Sequence, residues 1–449
     1  MATLIGKQAV VIGAGIGGLA AAGAVSDYFE SVIVLERDEL PERATTRAGT
    51  PQAQHTHVLL GGGERALESL FPGFTKALRQ AGAAAFRVGL DILTEIPGFD
   101  PFPQRDLGWD GYGMSRPLVE YTIRRMLLRR PNVALRGGCR VTQLVTTEEN
   151  GEVAAVRLTR NGGASEALSA DLVVEASGRG ALTLDALKAT KRPVPAESAV
   201  GIDMAYSTCV FAIPDDASRG WKGVYTFPAP PKSRRGAIMF PIEGDRWTLS
   251  LAGAHGDAPP GDLNGFLAFA KELRTPTVYG AVKDAEPAGE VMRFAFPESI
   301  WRHFERLESF PRGLLPLGDC VCRFNPAYGQ GMTVAAKEAC ILRDLLAARA
   351  PASDPFHGLA QAFFAKIQEV LDTPWAAAAV GDFVYPETRG DRPADLEATF
   401  SFGRAMVKLA ARDAAVHKLR MEVMNLLKPR SVYRDPALVA RVRAVMAEA

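Results

Sequence analysis

At 449 residues the chain is long enough for two or three domains with a substantial core. Its 47% hydrophobic and 23% charged residues are ordinary for a globular protein, and a formal net charge of +1 supplies no global field for a nucleic-acid partner. Five cysteines, no long apolar span and an N-terminus that moves directly into a strand suit a cytoplasmic protein better than a secreted or membrane-spanning one.

The first predicted element is the buried-type strand Gln8–Ile12, which runs into G-x-G-x-x-G. Gly13 permits the tight turn, Gly15 lets backbone approach a pyrophosphate, and Gly18 lets the following helix pack on the strand. Ile16 and Gly17 open that helix, whose free N–H groups face the phosphates. Ser31–Glu36 (SVIVLE) reads as a second strand, and Glu36, with Arg37 beside it, stands where a carboxylate meets the ribose hydroxyls of an adenosine. These features predict a dinucleotide site without separating NAD from FAD.

Further along, Gln54-His55-Thr56-His57 places alternate histidines on one side of an extended segment. No third metal ligand is evident, so no metal is predicted. The loop 96–113 is rich in Gly, Pro and aromatic residues and reads as a cover or entrance. Arg116 then opens an amphipathic helix, RPLVEYTIRRMLL.

Asp171–Gly180 (DLVVEASGRG) is a hydrophobic strand ending at small residues, and residues 195–296 look strand-rich. Within them GAIMFPIEGDRWTLSLAG (236–253) predicts two strands around a turn at Glu243–Asp245. Tyr206, Phe211, Tyr225, Phe227, Met239 and Phe240 are candidate pocket liners, with core as the alternative for each.

Leu314–Leu317 is a buried strand with Asp319 at its carboxyl end, where ligands lie on open α/β sheets. That carboxylate can accept hydrogen bonds from a ribityl chain. Pro326 shapes the next loop, and Gly329 and Gly331 offer bare backbone to a flat ring. The helix beginning near Met332 points N–H groups at the carbonyl edge of that ring. FAD is therefore the predicted dinucleotide. From 401 to 449, ten Lys/Arg stand against four Asp/Glu on amphipathic helices, expected to pack on the body rather than on a membrane.

The chain resembles the class A flavoprotein monooxygenases of the para-hydroxybenzoate hydroxylase fold. The carriers are the Gly13–Gly18 motif, TRAGTPQAQHTHVLLGGG (46–63), SRPLVEYTIRR (115–125), VVEASGRG (173–180) and GDCVCRFNPAYGQGMTVAA (318–336). Within that superfamily it looks closest to a branch including bacterial polyether-type olefin epoxidases, relatives of squalene epoxidase. The resemblance implies a discontinuous α/β FAD-binding domain of Rossmann-like, GR2 type: residues 1–82, 110–185 and 295–350. It is joined by a mostly β-sheet substrate domain (83–109 and 186–294) and a C-terminal helical segment (351–449).

It also implies cofactor contacts from Arg47 and Arg116 and flavin-site lining by Gln54 and His55. The middle motif departs from the family's Ala-Asp-Gly, having Ala176-Ser177-Gly178, so only the backbone at Gly178 is carried over. The implied reaction inserts one oxygen atom from O2 into a small apolar organic substrate through a flavin C4a-hydroperoxide, by epoxidation or hydroxylation. Electrons would come from NAD(P)H or a separate reductase, as no second nucleotide motif is present. The alternatives are a geranylgeranyl-reductase-like enzyme and a non-redox flavin scaffold guiding a cyclisation.

Overall fold

The computed structural model describes residues 3–149, 151–214 and 219–448. Its first layer is a five-stranded, wholly parallel sheet in the order Leu314–Pro316, Leu172–Glu175, Gly6–Ile12, Phe29–Leu35, Val133–Arg136. The β-branched runs of these strands are buried on both faces, as a parallel sheet requires: Val10, Val11, Val32, Val34, Val173 and Val174 are all fully buried.

The opening helix, Ile16–Val25, is apolar around its whole circumference and is buried at every residue except Gly17. Its small residues let it lie between the sheet and the long helix Gly331–Arg349. A side chain at Gly17 would come within 3.3 Å of Leu317 and 3.4 Å of Ala335. An antiparallel three-stranded meander (Cys139–Thr146, Val153–Arg160, Ser165–Ser169) fills the crossover before Leu172–Glu175.

The second layer is a seven-stranded sheet: Cys322–Arg323, Met292–Arg302, Glu197–Ala212, Arg246–Gly253, Gly236–Ile242, Gly223–Thr226, Ile92–Glu95. All its pairings are antiparallel except the last. The predicted hairpin is present, with Ile242 opposite Arg246 and positive φ at Gly244 and Asp245. One face is covered by the helices Leu263–Lys271 and Thr277–Val282.

Strand alternation therefore divides the candidate liners. Phe211 and Met239 point into the core built around Phe266, whereas Tyr206, Tyr225, Phe227 and Phe240 line a cavity on the opposite face. The end of the 96–113 loop is ordered as a strand: Asp110–Gly113 pairs with Ala84–Arg87.

The C-terminal helices Leu396–Arg412, Ala414–Met424 and Pro436–Ala447 bury an apolar stripe that includes Met406, Leu409, Val442 and Val445. Phe102, from the covering loop, is inserted into the same cluster and meets His417 edge-on at 4.9 Å. Arg105 donates to the carbonyls of Ala410 and Ala411. Among the described residues no helix is long and apolar enough to cross a membrane.

Candidate functional site

The carboxyl ends of the parallel strands open into one continuous cavity of about 2280 Å³. A single small-molecule site usually occupies roughly 300–1,000 Å³, so this space suits a large cofactor together with a second molecule. Its wall includes Gly13, Gly15, Ile16, Gly17, Glu36, Arg37, Arg47, His55, Arg116, Gly178, Asp319, Pro326, Gly329, Gly331 and Met332. Two predicted residues stand outside the wall. Gly18 packs against the first turn, where a Cβ would sit 1.8 Å from the Gly13 carbonyl oxygen. Gln54 ends the short 3-10 turn Pro51–Gln54, and Gln52 of that turn faces the cavity in its place.

The glycines report which constraints come from the protein and which would come from a ligand. Gly13 has φ +100°, and a Cβ there would lie 2.6 Å from the Ala176 carbonyl oxygen. Gly15 is in extended backbone (φ −75°, ψ 179°), and a Cβ there would find nothing nearer than Arg116 at 3.7 Å. The protein itself does not need glycine at position 15, whereas close approach of a phosphate group does. The helix that starts beside it has no side-chain cap and no acidic residue in its first turn, so its N–H groups remain available.

A chain of charges stands next to this mouth. Glu36 accepts from the Ala14 N–H (2.8 Å) and the Asp38 N–H (3.2 Å). The Arg47 guanidinium is 3.1 Å from Glu36, 3.0 Å from Asp38 and 3.5 Å from Glu120, and Glu120 also holds Arg116 at 2.9 Å. These ion pairs fix both arginines on the cavity wall with one face of each committed to carboxylates. Glu120 and Asp38 were not singled out from the sequence. The i, i+4 spacing of Arg116 and Glu120 on one helix was the available signal for the first.

At the other end of the sheet, Asp319 is deep in the protein yet open to the cavity. Burial raises its carboxyl pKa, and Arg116 and Arg323 pull it back. The turn that carries it is held by Glu338 of the long helix, whose Oε2 accepts from the Gly318 N–H at 2.6 Å. Glu338 is fully buried, its Oε1 has no partner among the described residues, and burial pushes its pKa up to about 8. Cys320 joins this turn to the middle motif, its sulfur accepting from the Gly178 N–H at 3.2 Å. Ser177 is turned onto Glu175 at 2.6 Å.

The loop Phe324–Gln330 is firmly positioned. Asn325 caps it through the Ala327 N–H (3.1 Å) and donates to both oxygens of Asp382 (3.1 and 3.0 Å). The Tyr328 hydroxyl donates to Asp382 at 3.2 Å, and the Tyr225 hydroxyl donates to the Ala327 carbonyl at 2.8 Å. Burial raises the Asp382 carboxyl to about 7, opposed by those hydrogen bonds. Asp382 carries no local sequence signal, because its burial follows from tertiary packing alone. Gln330 is one of the cavity's lining residues, and its buried Oε1 has no partner among the described residues, which leaves an acceptor unused.

Beyond the loop lies an aromatic chamber. His55 meets Tyr206 edge-on (5.3 Å) and Phe294 (5.6 Å), while Tyr206 stacks on Phe294 (5.7 Å) and Tyr225 on Phe227 (4.3 Å). Burial lowers His55 to about 4, so it is neutral at physiological pH, with Nδ1 2.7 Å from the Thr208 hydroxyl. His57 is lowered to about 3 by burial and Arg116. Its ring is hydrogen-bonded to the His55 carbonyl rather than paired with the His55 ring.

Comparison with known proteins matches this arrangement. The sequence pattern of the family described as FAD dependent oxidoreductase matches residues 8–195. Protein Rv3254 of Mycobacterium tuberculosis (strain ATCC 25618 / H37Rv) is 35% identical over 365 residues, 76% of this chain and 73% of that one. The flavin-dependent brominase Bmp2 superposes with a TM-score of 0.67 at 14% identity, covering 99% and 98% of the two chains. PqsL from Pseudomonas aeruginosa, a probable FAD-dependent monooxygenase, superposes with a TM-score of 0.59 at 18% identity over 83% and 95%. At these identities the two solved structures establish a shared fold.

Proposed function

For a chain that belongs to the family of FAD-dependent oxidoreductases, we propose a flavin monooxygenase reaction on an apolar organic substrate. The reaction is epoxidation of an alkene, as in the olefin-epoxidase branch that the motifs resemble, or hydroxylation. The observation that carries this reading is the single cavity, which joins the dinucleotide turn at Gly13–Gly15 to an aromatic chamber at the Gly329–Met332 loop. FAD, when bound, supplies the two-electron chemistry and the reaction with O2 that side chains lack.

The residues present fit the cofactor. Gly15 and the N-terminus of Ile16–Val25 would receive the phosphates, Glu36 the ribose and Asp319 the ribityl hydroxyls. The backbone at Gly329–Met332, with Gln330, would receive the ring edge. Arg116 and Arg47 contribute positive charge at the phosphates while Glu120, Glu36 and Asp38 fix their orientation. The stacked Tyr206, Phe294, Tyr225 and Phe227 exclude water and orient an apolar substrate. The Tyr328 hydroxyl holds its proton against Asp382, which keeps the loop beside the ring in place.

Electrons come from NAD(P)H bound transiently or from a partner reductase. Anaerobic mixing with NADPH distinguishes these, because bleaching of the flavin requires direct reduction. Oxygen-electrode measurements with isotopically labelled O2 test the reaction itself. One labelled atom in the organic product supports monooxygenation. A saturated product without O2 uptake would instead indicate a reductase, and a brominated product in bromide a halogenase.

A further inference from the structure

The cavity does not stop at the aromatic chamber. It continues beneath the C-terminal helices, where Phe102, Met406 and Met421 form apolar walls and Arg420 and Tyr433 stand in the lining. Among the described residues Arg420 makes no hydrogen bond and no ion pair, unlike Arg47, Arg116, Arg404 and Arg412, which all have carboxylate partners. The other carboxylates contributed to this wall by the C-terminal segment, Asp382 and Asp395, do not pair with it either. His417, in the preceding turn of the same helix, is held neutral by burial and by Arg105 and Arg420.

Arg420 is half-buried on this wall, and a partly desolvated guanidinium without a counter-charge is stabilised by a ligand that supplies one. Its planar fork matches a carboxylate in two parallel hydrogen bonds. We propose that this end of the cavity is a carboxylate-binding subsite, in which Arg420 holds the anionic head of a long, otherwise apolar substrate whose chain runs back to the Gly329–Met332 loop. The inference rests on the reading that the chamber beside FAD receives substrate, and it gives that substrate a chemical class: an amphiphilic carboxylic acid rather than a neutral hydrocarbon. Burial lowers the Arg420 pKa without a carboxylate to offset it, in keeping with an unfilled counter-charge position.

The test titrates the FAD-loaded, full-length protein with oleic acid, methyl oleate and oleyl phosphate below their micellar concentrations, reading the flavin absorbance change and the heat of binding. The acid is expected to bind about tenfold or more tighter than its ester. Arg420→Gln should abolish that preference by weakening the acid alone, with flavin content unchanged and the melting temperature of the substrate-free protein unchanged or raised, and Arg420→Lys should retain part of it. Equal binding of acid and ester by the native protein, absence of acid binding, or a preference that survives Arg420→Gln would overturn the subsite. Tighter binding of the phosphate ester than of the acid would overturn its assignment to a carboxylate. Because the flavin stays oxidised throughout, this result is independent of turnover: an Arg420-dependent acid preference in a protein that never consumes O2 would remove the monooxygenase reading and leave the subsite standing.

Discussion

Gly15 and Gly18 are three residues apart in one motif, yet their surroundings predict opposite consequences of adding a methyl group. At Gly18 the new Cβ would sit 1.8 Å from the Gly13 carbonyl oxygen, so Gly18→Ala must displace the strand–helix turn and lower the melting temperature of the cofactor-free protein. At Gly15 the backbone is extended and the nearest atom is 3.7 Å away, so Gly15→Ala should leave that melting temperature unchanged and weaken FAD binding. Calorimetry of both apo variants with a flavin titration checks the pair; equal loss of stability in both would contradict the assignment of Gly15 to the ligand. Asp319→Ala removes a charged acceptor that faces the cavity and should weaken FAD by about 10–100-fold, corresponding to roughly 1.5–3 kcal/mol for hydrogen bonds to a charged group. Undiminished flavin content after purification would contradict its placement on the ribityl chain.

The elements of the cofactor half were legible because their signals are local. A run such as AVVIGAGIGG states its strand, its turn and its helix mouth within ten residues, and the Gly318-Asp319 motif does the same. What the sequence could not state is set by packing across the chain. Whether Tyr206 or Phe211 faced the cavity depended on strand register, and the answer followed only from the pairing with Arg246–Gly253 and Met292–Arg302. Cys320 is fully buried and also ties two strand-end loops together through the Gly178 N–H, a contact set by packing across the chain. The covering loop and the C-terminal helices, read separately, form one packed unit around Phe102. Phe102→Ala should cost about 3–5 kcal/mol in that unit. Hydrogen exchange across Leu396–Ala447 should then rise well before exchange in Gly6–Ile12; uniform protection in the variant would show that the helices do not depend on this anchor.

Over the whole molecule, buried titratable groups make stability depend on pH in two opposed windows. Glu338 and Asp382 have folded-state pKa values of about 8 and about 7, raised from 4.5 and 3.8 chiefly by burial. The native state therefore binds more protons than the unfolded chain between those limits. Their contribution is fully present below the unfolded values and is lost as pH rises through 7 and 8. His55, His57 and His417 are lowered from 6.5 to about 4, 3 and 4, so their contribution is lost as pH falls below 6.5. The melting temperature should accordingly decline from pH 6.5 towards 8, and Glu338→Gln, which can still accept from the Gly318 N–H, should flatten that decline. A slope unchanged by Glu338→Gln would contradict the buried proton at this site.

The same scale contains the central claim, that one cavity holds the dinucleotide at its mouth, the flavin ring at its waist and the substrate beyond. A crystal structure of the FAD-bound protein tests it most directly. The phosphates should lie against Gly15 and the N-terminus of Ile16–Val25, and the ring against Gly329–Met332. The space between Tyr206 and Arg420 should remain open to a second molecule. A flavin ring seated away from that loop, or one that fills the chamber as far as Arg420, would contradict the account.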